Sequence, residues 1–159
     1  MAKINLASLP VKTGSIYPAP YDALVAGRSS QRLGDAGGLT QFGVNLVTLA
    51  PGGLSSMRHW HLAEDEFVMV TEGQCTMVTD AGETEMGPGD CAAFPAGRPD
   101  GHHFINRTDK PARFLVVGSK APREVATYSD EDLMVTVEAG RATFTHKDGT
   151  PYIAPKGDQ

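Results

Sequence analysis

Cysteine is scarce in this 159-residue chain: only Cys75 and Cys91 occur, and neither belongs to a CxxC pair. At most one disulfide is possible, thiolate zinc and dithiol redox motifs are excluded, and reduced, packed thiols are expected. Long apolar runs are missing too. No stretch approaches the ~18 residues of a membrane-spanning helix, and residues 1–17 lack the charged start and apolar core of a secretion signal. A soluble cytoplasmic protein is the expectation. Basic residues are in short supply, with 14 Lys and Arg against 19 Asp and Glu and a formal net charge of −5. No nucleic acid and no membrane is expected as a partner. The chain also has no phosphate loop, nucleotide fingerprint or nucleophile triad that would fix a reaction class, and no internal repeat.

Glycine and proline are plentiful by contrast. The 18 glycines and 11 prolines make about 18% of the chain against a usual ~12%, which disfavours long helices and favours short strands joined by turns. Apolar residues at 40% suffice for the core of one domain. Residues 1–38 mix Pro10, Pro18 and Pro20 with five glycines and read as an N-terminal arm over the main body. From residue 39 the texture changes. Residues 40–49 are β-branched and apolar and end at Pro51-Gly52-Gly53, and further strands are predicted at 66–71, 74–79, 83–86, 91–94, 102–106 and 113–118. Turn signals such as Glu72-Gly73, Asp80-Ala81-Gly82 and Gly87-Pro88-Gly89-Asp90 separate them. This spacing predicts an all-β antiparallel sandwich or barrel over residues 39–120. Residues 121–159 form a more polar C-terminal extension, with a short helix start near 130–132 and a hairpin over 134–138 and 141–146.

Several strands, such as 67–70 and 114–117, are apolar on both faces, so their outer side is expected to pack on a second subunit or on the arm.

Four of the five histidines lie between positions 59 and 103. His59 and His61 flank one residue, and on a strand positions i and i+2 share a face, so both imidazoles can reach one point. Glu66 follows, then His102. Three imidazoles and a carboxylate suit one divalent transition metal (Fe, Mn, Ni, Zn or Cu) and leave open coordination positions, unlike closed thiolate sites. By itself an HxH pair fits surface or hydrogen-bonded histidines equally well. The wider pattern is more specific. Gly53-x5-His59-x-His61-x4-Glu66-x6-Gly73 resembles the first motif of the cupin superfamily, and Gly89-x5-Pro95-x-Gly97-x4-His102-x3-Asn106 is similar to the second. One departure stands out: four residues, Arg98 to Gly101, separate the last motif glycine from the histidine where the family usually has two. His102 keeps the spacing to Asn106 and His103 has the opposite parity, so His102 is the preferred fourth ligand with His103 as the alternative.

The resemblance implies a jelly-roll β-barrel of the single-domain bacterial cupin type, with a metal held by His59, His61, Glu66 and His102 and a homodimeric assembly. It allows dioxygenase, isomerase, decarboxylase or lyase chemistry on a small polar metabolite, slightly favoured over a non-catalytic sugar or small-molecule binding module with an orienting metal. Trp60, of opposite parity to the ligands, is expected to point away from the metal, while Phe104 and Asn106 share the parity of His102. Arg58, Arg98 and Arg107 are possible anion contacts, Glu64 and Asp65 possible bases, and Met57, Met77 and Phe94 core residues. Solvated side chains on turns are the plainer reading for the charged ones.

Overall fold

Strand formation in the computed structural model, which describes residues 3–153, follows the alternation of apolar residues closely. Thirteen strands occur among the described residues: β1 (Lys12–Thr13), β2 (Arg28–Arg32), β3 (Phe42–Leu49), β4 (His59–His61), β5 (Glu66–Glu72), β6 (Cys75–Thr79), β7 (Gly82–Met86), β8 (Cys91–Phe94), β9 (His103–Ile105), β10 (Ala112–Ser119), β11 (Arg123–Tyr128), β12 (Met134–Glu138) and β13 (Arg141–Thr145). One face is a six-stranded sheet in the order β1-β2-β3-β10-β5-β8. The other consists of β13-β12-β11-β4 and β7-β6-β9, joined where His59 bridges His102. All pairings are antiparallel, and the two faces close into a jelly-roll barrel.

Two apolar clusters hold the faces together. Val47, Leu49, Val68, Val70, Phe104 and Phe114 are central to the larger one, and Met57, Ala126, Tyr128, Leu133 and Val135 form the smaller. Both border a central cavity of about 760 Å³. Burial of these side chains contributes about 1.5–3 kcal/mol each for the largest of them, offset by the entropy of ordering the chain.

Three local features differ from the sequence expectation. Residues 28–32, inside the expected arm, form β2 and pair with β3 along five residues. The segment Arg-Ser-Ser-Gln-Arg has almost no apolar signal, and its strand exists because β3 offers it a free edge. Residues 123–128 form β11, whose buried positions are Glu124, Ala126 and Tyr128. A buried glutamate interrupts the apolar alternation that marks a half-buried strand. The stretch 130–132 bends without forming a helix. Asp130 and Asp132 are drawn to Arg58 and to the Lys147 N–H, and Leu133 is fully buried beneath them.

Both cysteines are free. Cys75 is packed in the core as expected, whereas Cys91 is exposed, because on β8 it alternates outward from Ala92.

Candidate metal centre

The candidate site is assembled by strand alternation plus one backbone exchange. On β4, His59 and His61 share one face and Trp60 has the opposite parity; Trp60 borders a smaller cavity of about 280 Å³ with Met77, Phe94 and Arg98, which His61 and His102 also line. Glu66 opens β5 and shares the inward face with Val68 and Val70. His102 arrives from the second motif and is locked to the first, since the His59 N–H donates to the His102 carbonyl at 3.1 Å and the His102 N–H donates back at 2.9 Å. All four residues predicted from the sequence line the central cavity.

Three of the four bring their donor atoms together, and His102 joins them through Glu66. His59, His61 and Glu66 place theirs within 4.8 Å of one another. His59 Nδ1 lies 2.9 Å from the Met57 carbonyl, a contact that requires the ring to donate there and leaves the Nε2 lone pair facing inward. His59 Nε2 and His61 Nε2 are 3.2 Å apart. Bonds of ~2.1 Å to one ion place neighbouring nitrogen donors ~3 Å apart, so this separation fits a shared cation. His102 Nε2 lies 2.7 Å from Glu66 Oε2, and its ring is 2% exposed, stacked on Phe94 at 3.5 Å between centroids. The donor set therefore suits a borderline divalent ion.

Electrostatics favour the same use. Burial, followed by the neighbouring His61, lowers the His59 pKa to about 3, so the imidazole is neutral and free to ligate at neutral pH. Burial alone would raise the Glu66 carboxyl. The His102 hydrogen bond and the surrounding imidazoles outweigh it and hold Glu66 below the usual carboxylate range.

Glu124 is a residue that sequence reasoning missed. It is 3% exposed, accepts from the Leu62 and Ala63 N–H groups at 2.8 Å each, and sets Oε1 3.5 Å from His61 Nδ1. At that distance it faces the His61 ring without a hydrogen bond, and His61 Nδ1 is buried and has no partner among the described residues. The only sequence signal of Glu124 is polarity at an inward position of a strand. His103, by contrast, faces the Arg58 and Asp130 side, where burial lowers its pKa.

The remaining sequence candidates separate by partner. Arg58 is engaged by Asp130, at 2.7 Å, and by Asp80, while Arg107 pairs with Glu83. Neither borders the central cavity. Asn106 is fully buried and ties down a turn, donating to the Leu49 and Lys110 carbonyls. Phe104 is core. Asp65 accepts from the Ala96 N–H at 2.8 Å on the surface, whereas Glu64 borders the cavity and accepts from the Ala121 N–H at 2.8 Å. The cations that do line the cavity are Lys12, Arg28, Arg32 and Lys120, three of them from the expected arm. Arg28-Ser30-Arg32 has the i, i+2, i+4 spacing of one strand face, a signal that was available but unsupported by apolar neighbours.

Fold and cluster together define a class: small double-sheet barrels that carry imidazoles and a carboxylate inside the barrel. The chain belongs to the cupin superfamily. Residues 45–118 match the cupin domain family model. A crystal structure of a sugar phosphate isomerase of this superfamily from Silicibacter pomeroyi is 59% identical, covers 96% of this chain and 98% of its own, and superposes with a TM-score of 0.94. A protein from Acidithiobacillus ferrooxidans, provisionally described as a sugar phosphate isomerase, is 25% identical over 84% of this chain and 85% of its own, with a TM-score of 0.74. The polyketide cyclase RemF from Streptomyces resistomycificus shares the fold, at 24% identity over 75% of this chain and 79% of its own and a TM-score of 0.62. No curated protein matches the sequence.

Proposed function

We propose that this protein is a metal-dependent isomerase acting on a small phosphorylated sugar or a close polar analogue. The observation that carries the reading is the inward His59, His61, Glu66 and His102 cluster on the wall of a cavity of about 760 Å³. Such a volume suits a small metabolite, and the 59% identical relative is named for sugar phosphate isomerisation. These four residues would hold a divalent metal, which would supply Lewis-acid polarisation of a substrate carbonyl or hydroxyl. Isomerisation also needs a group that takes a proton from carbon. Glu124 has both oxygens occupied by backbone N–H groups, Glu66 faces His102 and Asp35 faces Arg32 and Lys120, which leaves Glu64, held by the Ala121 N–H through Oε1 alone, as the carboxylate at the cavity wall for that task. Burial raises the phenol pKa of Tyr17 and Tyr128, so both stay protonated, and the two hydroxyls form a hydrogen-bonded pair at the cavity wall.

The test is to load the protein separately with Mn, Fe, Ni, Zn and Cu and follow aldose and ketose phosphates by NMR in deuterium oxide. Metal-dependent interconversion, with deuterium entering beside the carbonyl, is the expected result. Tight sugar phosphate binding with no exchange under any metal overturns the isomerase reading and leaves a binding module.

The reading extends to assembly and setting. Two free thiols suit a reducing cytoplasm. The outer face of the six-stranded sheet exposes Phe42 and Phe67, the latter paired in register with Val117, and a second copy packed there forms a homodimer. Light scattering on the eluting protein is expected to give twice the chain mass of 16.9 kDa. A single-chain mass at all concentrations removes the dimer.

A further inference from the structure

Of the four cations of the central cavity, Arg28 and the exposed Lys12 make no ion pair among the described residues, and Arg28 is the one that is half-buried. Arg32 and Lys120 share Asp35, at 3.5 and 3.6 Å. For Arg28, no carboxylate lies within 4 Å among the described residues, and its one hydrogen bond is a long contact, 3.5 Å, to the Gly14 carbonyl. Four of its five N–H donors thus have no protein partner among the described residues, although the side chain is half-buried. Its unpaired nitrogens are not sealed in the interior but open onto the cavity, where an anion can reach them.

The acids around the cavity do not supply it. Glu124 is saturated by backbone N–H groups, Glu64 is held by Ala121, and Asp35 serves Arg32 and Lys120. Glu66 is near enough to favour the charged guanidinium, but its carboxylate is committed to the histidine cluster. Strand register then adds further positive charge on the same side. Arg28, Ser30 and Arg32 alternate onto one face of β2, and Lys12 pairs directly with Ser30 on β1. All four residues line the cavity with Ser15 and Tyr17.

We infer that Arg28, flanked by Arg32 and Lys12, is the binding site for the phosphate group of a phosphorylated small molecule whose other end lies at the His59, His61, Glu66 and His102 cluster. The planar fork of Arg28 presents paired N–H donors to two phosphate oxygens, and the flanking cations match a dianion better than a single carboxylate. The inference rests on the reading of this cavity as a substrate chamber, and it assigns the segment over residues 12–32 a role in recognising the substrate. Specificity for phosphorylated over plain sugars follows from it, because a neutral sugar leaves the guanidinium unpaired.

Titration calorimetry with inorganic phosphate, and with a sugar phosphate against the same sugar unphosphorylated, tests the assignment. Wild-type protein is expected to bind phosphate saturably. Arg28→Gln is expected to weaken it by about 10- to 100-fold, and Arg28→Lys, which keeps charge and bulk but loses the fork, by about 3- to 10-fold. Arg107→Gln, which alters an exposed arginine paired with Glu83 outside the cavity, is expected to bind as wild type does. Metal content by elemental analysis is expected to be equal in all four proteins. If Arg28→Gln does not fold, Arg28→Lys decides by itself. Wild-type affinity in the Arg28 variants, or no saturable phosphate binding by the wild type, overturns the proposal. Phosphate binding without isomerase activity defeats only the isomerase reading, whereas isomerase activity with unchanged phosphate affinity in Arg28→Gln defeats only the phosphate site.

Discussion

His59→Ala and Glu66→Ala are each expected to weaken divalent-metal binding by at least about 100-fold while the β-sheet signal survives. The magnitude follows from a comparison: removing a partner that merely orients a ligand costs about 10- to 100-fold in affinity, and removing a ligand itself costs more. Glu66→Ala has the larger effect, since it deletes the single negative charge of the cluster and leaves His102 Nε2 without its 2.7 Å partner. The fold tolerates both changes because its core is held by apolar contacts, around Val47, Val70, Phe104 and Phe114, that do not involve these two side chains. Replacing Glu66 also removes a buried charge whose desolvation the apoprotein must bear. Elemental analysis after metal loading and desalting, with far-UV circular dichroism on the same samples, reads both halves of the prediction. Unchanged metal in both variants would remove these residues as ligands.

Gly73→Ala is the second large effect, this time on stability. Gly73 has φ +71°, and a Cβ built there would sit 2.4 Å from the Pro111 carbonyl oxygen and 3.0 Å from Ala112 Cα. The left-handed backbone costs an alanine about 1–2 kcal/mol, and displacing backbone that cannot swing aside like a side chain adds about 1–3 kcal/mol. A loss of about 3 kcal/mol is expected. For a chain of this size it lowers the melting temperature by about 6–12 °C. Chemical denaturation measures it, and a variant as stable as wild type defeats the argument. Gly73 lies in the first motif, yet it is there for the close approach of the 72–73 turn to residues 111–112 and not for chemistry. Metal content in this variant, measured below its unfolding transition, is accordingly expected to be unchanged.

Legibility varied along the chain for physical reasons. Strands from residue 42 to 119 could be read because their side chains alternate between a core and a second face, and because the turns between them are marked by glycine, proline and aspartate. Strand β2 could not, since Arg-Ser-Ser-Gln-Arg carries no apolar period and gains its structure from hydrogen bonds to β3. Strand β11 was hidden by Glu124, whose carboxylate is satisfied by two backbone N–H groups that lie about sixty residues earlier in the chain. The arginines divide in the same way. Arg58 and Arg107, beside the motifs, turn out to be ion-paired with Asp130, Asp80 and Glu83, while Arg28, far from the motifs in sequence, faces the cavity.

By itself, the sequence determined the all-β class, the turn positions and the donor types. HxH spacing on a strand, a following carboxylate and a later histidine are local facts, set by the two-residue period of β structure. Tertiary structure decided which charged groups meet those donors. The hydrogen-bonded exchange between His59 and His102, the carboxylate of Glu124 behind His61 and the guanidinium of Arg28 in the same cavity all come from strands distant in the chain. Coulombic and hydrogen-bonding contacts act through space, so their partners are chosen by how the sheets close and not by spacing along the chain.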